Sequence, residues 1–116
     1  MADPPDKGDS DGRGEPRRRV LLSGKLVYGE PPMTLDCSIS DVSRSGARVR
    51  LQGPLPMPDT LYLIELRHGL AFRARVAWRR ANLLGLSFSS LYDLRDPPPE
   101  LPKLLRQLWV EQTRLG

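Results

Sequence analysis

The chain has 116 residues and a mass of 13.0 kDa, one small domain's worth, and its 39% hydrophobic content is low for a globular protein. Twelve prolines and ten glycines indicate that part of it stays outside any core, and these figures together exclude a large multidomain enzyme. No apolar run approaches the roughly 20 residues that a membrane-spanning helix needs. Met1 to Asp11 is acidic and polar, unlike a secretory leader. The single cysteine, Cys37, has no internal disulfide partner, which predicts a reducing cytoplasm.

Charge is unevenly spread along the chain. Met1 to Pro16 holds two basic and five acidic residues, a net of −3, whereas Arg17 to Arg80 holds twelve basic and five acidic, a net of +7. Of the eighteen basic residues fifteen are arginine, whose planar fork of donors suits phosphates, carboxylates and guanine edges. A basic middle predicts an anionic partner, although ordinary solvated surface charge gives the same composition.

The elements follow in order. Residues 1–16 carry almost no apolar side chain and are expected to form a disordered arm. A barrel is expected over 17–92. Val20 to Tyr28 reads as a strand bent at Gly24 and closed by Gly29-Glu30-Pro31-Pro32. Leu35, Cys37 and Ile39 then alternate with Asp36, Ser38 and Ser40, and Ala47, Val49 and Leu51 with Arg48 and Arg50. Leu61 to Leu66 reads as a buried strand after the Gly53 to Asp59 loop. Phe72, Ala74, Val76 and Trp78 share one face of the next strand, which assigns Trp78 to the core; Arg73, Arg75 and Arg79 lie on the solvated face. Leu84, Leu86 and Phe88 form the last strand. Six short strands with short connections define a mostly β fold, a small six-stranded antiparallel barrel. Over 93–116 a proline-rich linker leads to Leu101, Leu104, Leu105, Leu108 and Trp109 at helical spacing, a C-terminal helix expected to pack on the barrel.

Catalytic constellations are thin. His68 stands alone in an Arg-His-Gly turn, and Cys37 lies on an apolar strand face where thiols are inert. No group of metal ligands and no phosphate-binding glycine loop is present, so neither an enzyme nor a cofactor is expected. Two other features stand out. One is the arginine run Arg13, Arg17, Arg18 and Arg19 at the entry to the first strand. The other is the turn Asp41-Val42-Ser43-Arg44-Ser45-Gly46, where Gly46 is expected to supply a positive φ. Asp41 and Ser43 are expected to point to one side of an extended backbone.

In this order, inside a six-stranded pattern, these features resemble the PilZ family. Its motifs are Arg-x-x-x-Arg before the first strand and [Asp/Asn]-x-Ser-x-x-Gly after the second. Asp41, Ser43 and Gly46 fill every fixed position of the second, and Arg13 and Arg17 have the spacing of the first. Val76-Ala77-Trp78 with Gly85-Leu86-Ser87-Phe88 resembles the family's closing hairpin. In many members the second arginine directly precedes the first apolar strand residue, which here is Arg19 before Val20. Four residues earlier stands Glu15, so the pair is either Arg13 with Arg17 or incomplete.

The resemblance implies a cytoplasmic, bacterial, non-enzymatic receptor for the second messenger cyclic di-GMP. It implies a ligand site of Arg13, Arg17, Arg18, Arg19, Asp41, Ser43, Arg44 and Gly46. Arginine forks recognise guanine O6 and N7 or grip phosphate, and Asp41 accepts from a guanine N–H. Charge-assisted bonds of about 1.5–3 kcal/mol each outweigh the ordering of a short tail, so the arm is expected to close over the ligand. The output is an altered surface for an unidentified downstream protein, from a monomer or a homodimer. The alternative is a degenerate member that works as a protein adaptor without nucleotide. Nucleic acid is disfavoured, because exposed aromatics interleaved with the basic residues are missing.

Overall fold

Six strands and a helix follow one another as β1 (Arg18–Tyr28), β2 (Met33–Val42), β3 (Gly46–Leu51), β4 (Thr60–Glu65), β5 (Leu70–Arg80), β6 (Leu83–Asp93) and α1 (Lys103–Leu115). The computed structural model describes residues 18–56 and 58–115, with backbone alone for 18–20 and 115. The expected arm, with Arg13 and Arg17, lies outside the described residues. All neighbours are antiparallel, and the sheet closes as β1-β2-β3-β6-β5-β4. Chain order and barrel order diverge after β3, where the loop over 52–59 carries the chain past β6 and β5 to a position beside β1. Closure leaves no long strand edge to template association.

The alternation read from the sequence builds the interior. Leu26, Cys37, Ile39, Val49, Leu51, Leu63, Leu84 and Leu86 are buried inside the barrel, and Phe72 stacks on Phe88 with centroids 4.1 Å apart. A second cluster forms on the outside. Val27, Ile64 and Ala71 project away from the lumen and meet Leu94, Leu101 and Leu105, which seats α1 on the barrel as expected. Trp109 completes the seat by donating its indole N–H to the Leu66 carbonyl at 3.1 Å. Its ring lies over Gly69, whose φ of +67° favours a residue without a β-carbon.

Bulges change the outcome at two places. On β2, Ile39 faces Val49 but Asp41 faces Arg48, so Ser40 is an extra residue. Beyond it the parity inverts: Val42 packs on the interior cluster and Asp41 meets Arg48. On β5, Val76 faces Leu86 but Trp78 faces Gly85, which makes Ala77 the extra residue. Trp78 therefore lies on the outer face, 45% exposed, and not in the core where strict alternation put it. Arg79 moves the other way, half-buried with Nη1 donating to the Leu55 carbonyl. It leaves the solvated face to Arg73, Arg75 and Arg80.

Candidate ligand-binding site

These two bulges, with a further register shift on β1 between Arg19 and Leu22, bring one set of residues into a single transverse row. Arg19 on β1 stands opposite Asp41 on β2, Asp41 opposite Arg48 on β3, Arg48 opposite Gly85 on β6, and Gly85 opposite Trp78 on β5. Directly opposed residues of antiparallel strands are within side-chain reach of one another. The row thus places an acid between two arginine positions and ends on an aromatic ring.

Asp41 is only 9% exposed, and its Oδ2 receives Arg48 Nη2 at 3.3 Å. A nearly buried carboxylate needs such a partner, because an unpaired charge there is costly. Arg48 is half-exposed, and its guanidinium has further donors besides the nitrogen that Asp41 takes. Arg18 follows Arg19 into β1, opposite Val42. Both belong to the expected site, and both enter the first strand beside the β2–β3 turn.

That turn is closed by Ser43. Its amide donates to the Gly46 carbonyl at 2.9 Å and its hydroxyl reaches the same oxygen at 3.4 Å. Ser43 lies past the end of β2, so the expected common orientation of Asp41 and Ser43 on one extended strand gives way to a strand residue and a turn residue. Arg44 sits exposed at the tip, and the Ser45 carbonyl accepts from the Phe88 amide at 2.7 Å. Gly46 does not hold the positive φ expected of it. Its role is close approach: a β-carbon there would run into the Leu86 carbonyl of the neighbouring strand. The glycine of the motif brings β3 tight against β6, where the groove lies.

Between the turn and Trp78 runs an open groove of about 310 Å³, lined by Ser45, Gly46, Arg48, Trp78, Gly85 and Ser87 among others. The indole lies across Gly85, where any β-carbon would collide with it. Arg48, Gly85 and Ser87 were not among the candidate residues of the sequence, and Trp78, a possible guanine stacker, was assigned to the core by its parity. The available signal was a glycine and a tryptophan in adjacent strands of one hairpin, but the bulge that aligns them has no marker in the sequence.

The other candidates have structural roles. His68 is largely exposed and pairs through Nδ1 with Glu65 at 2.6 Å, while its amide donates to the same carboxylate, which holds the β4–β5 turn. Cys37 is buried, and burial first, then the Asp36 charge, pushes its thiol up to about 12. Among the described residues no group of acidic, histidine or cysteine side chains is placed to hold a metal, and no helix is long and apolar enough to cross a membrane.

The site thus combines a six-stranded closed barrel with an Asp-x-Ser-x-x-Gly turn beside an arginine-bearing first strand. Residues 11–96 match the family model of the PilZ domain, and the chain belongs to that family. The family is one of cyclic di-GMP receptors, generally non-enzymatic effectors. No curated protein matches the chain.

Proposed function

We propose that the chain binds cyclic di-GMP without enzymatic action or a cofactor and passes the signal on by changing the surface offered to a partner protein. The ligand contacts come from Arg13, Arg17, Arg18 and Arg19 on the N-terminal side and from Asp41, Ser43, Arg44 and Gly46 on the turn. Trp78 and Arg48 join them. The observation that carries this reading is the row Arg19–Asp41–Arg48–Gly85–Trp78 beside an open groove. Cyclic di-GMP presents two phosphates and two guanines, and the row offers a counterpart to each. Arginine forks take phosphate oxygens or the O6/N7 edge of guanine. The Asp41 carboxylate accepts from N1–H or the exocyclic amine, which rejects adenine. The exposed indole supplies a stacking face.

Isothermal titration of cyclic di-GMP into wild type, Arg17→Ala, Arg19→Ala and Asp41→Asn tests this, with GTP as the control ligand. Wild type is expected to saturate, GTP to give no heat, and Arg19→Ala and Asp41→Asn to bind at least about tenfold more weakly, a loss of about 1.4 kcal/mol or more. A matching loss in Arg17→Ala adds that residue to the contact set. No binding by folded, nucleotide-free wild type overturns the receptor reading in favour of the adaptor.

A further inference from the structure

The outer face of β5 carries Arg73, Arg75 and Arg80, all exposed, before and after Trp78 along the strand, with Arg75 opposite Ser87 at the edge of the groove. Arg73 is held in place: its Nη1 donates to the Tyr62 hydroxyl at 3.1 Å and its guanidinium lies 5.6 Å from the Tyr62 ring centroid. Among the described residues Arg75 and Arg80 make no ion pair or hydrogen bond, and the exposed Asp59 precedes Thr60, the residue that faces Arg75. Charges are paired at some other positions, as in Lys25 with Asp36 and Arg95 with Asp93. The ridge thus gathers three exposed arginines on one strand face, with no acid paired to them among the described residues and the uncharged Thr60 and Tyr62 of β4 beside it.

We propose that this ridge is a docking surface for an acidic segment of a partner protein. Arg73 and Arg75 are two residues apart on one strand face, about 6.8 Å along it, and alternate side chains of an extended acidic segment share that spacing. Each guanidinium then meets one carboxylate in fork geometry. A nucleic-acid strand fits less well. It needs successive aromatic platforms along the basic track, and here the Tyr62 ring is covered by Arg73, which leaves Trp78 as a single platform among the described residues of the ridge. The inference goes beyond the receptor reading and does not depend on it, since none of the three arginines belongs to the ligand row. It assigns a surface and a chemistry to the downstream partner.

The test uses the full chain and a fluorescein-labelled oligo-glutamate peptide, followed by anisotropy at low and at physiological salt. Arg75→Glu/Arg80→Glu is compared with Arg106→Glu/Arg114→Glu, which makes the same change of net charge on the exposed side of α1. Wild type is expected to bind the peptide, with weakening as salt rises. The β5 variant is expected to lose at least about tenfold and the helix variant less than about twofold. Cyclic di-GMP titration of both variants runs in parallel, with folding checked by circular dichroism. Nucleotide binding retained alongside lost peptide binding supports a separate docking ridge. Absence of peptide binding, equal loss in the helix variant, loss of nucleotide and peptide together, or tighter binding of oligo-dT than of the peptide each overturns it.

Discussion

The indole of Trp78 lies across Gly85 on the neighbouring strand, and the bulge at Ala77 is what aligns them. One ring face is spent on the glycine backbone and the side chain remains 45% exposed, so Trp78 contributes little to the core. Trp78→Ala is expected to change unfolding stability by less than about 1 kcal/mol, as surface changes usually do. Affinity for cyclic di-GMP is expected to fall by about 1–3 kcal/mol, the worth of one base–aromatic stack. Paired chemical denaturation and calorimetric titration measure both. A stability loss without an affinity loss would return Trp78 to a structural role.

Gly46 is held to glycine by the Leu86 carbonyl and not by its own backbone angle. Gly46→Ala is expected to push β3 off β6 and cost about 1–3 kcal/mol, in the range of overpacking. Ser43→Ala leaves the backbone bond of the turn intact and removes only the long hydroxyl contact, so its cost is expected to stay under about 1 kcal/mol. Urea unfolding of the two variants separates these outcomes.

Cys37 gives the fold a pH dependence at the alkaline end. Its thiol is pushed from 9.0 to about 12, chiefly by burial. The stability it confers is complete below pH 9, where the thiol is protonated in both states. Above pH 9 the unfolded chain releases the proton and the folded chain does not, so stability falls as pH rises toward 12, by about 1.4 kcal/mol per unit. Cys37→Ala is expected to lose less stability than wild type between pH 8 and pH 10, by about 1 kcal/mol. Denaturant midpoints across that window check it. Parallel pH profiles for the two proteins would contradict the account.

Gly69 is doubly constrained, by its φ of +67° and by the Trp109 ring, whose Cζ2 lies 2.6 Å from where a β-carbon would stand. Gly69→Ala is expected to cost about 1–3 kcal/mol and to loosen α1 before the barrel opens. Hydrogen exchange resolves that order, with faster exchange over Lys103–Leu115 and little change in β2 and β3.

Ala81 is the reverse case, a residue with a β-carbon at φ +53° in the two-residue turn between β5 and β6. Positive φ at the first position alone is the pattern of a type II′ hairpin turn, where glycine is preferred. Ala81→Gly is expected to stabilise the protein by up to about 1 kcal/mol, the relief of left-handed strain less the added chain entropy. Thermal unfolding reads it directly, and a lower midpoint would contradict the expectation.

Much of this molecule was legible without coordinates. Period-two alternation in β2, β3 and β5 identified strands and interior residues such as Cys37, Ile39 and Val49, because a pleated strand half-buried in a barrel leaves little choice of apolar face. Leucine spacing after the proline run identified α1 for the same kind of reason at a helical period. The turn motif was visible because its fixed residues are local. Arg13 and Arg17, by contrast, fall outside the described residues, so their expected place in the site stands as a proposal.

What the chain determines by itself is local: which segments are strands, which side chains are apolar, and where the chain reverses. What only the tertiary structure decides is which residues of distant segments share a face. Extra residues at Ser40 and Ala77 carry no mark in the sequence, yet each inverts the parity beyond it, turning Asp41 and Trp78 outward and Val42 and Arg79 inward. Register across five strands then draws Arg19, Asp41, Arg48, Gly85 and Trp78 into one line. That alignment is a property of strand pairing, and pairing is settled by the packing of the whole barrel.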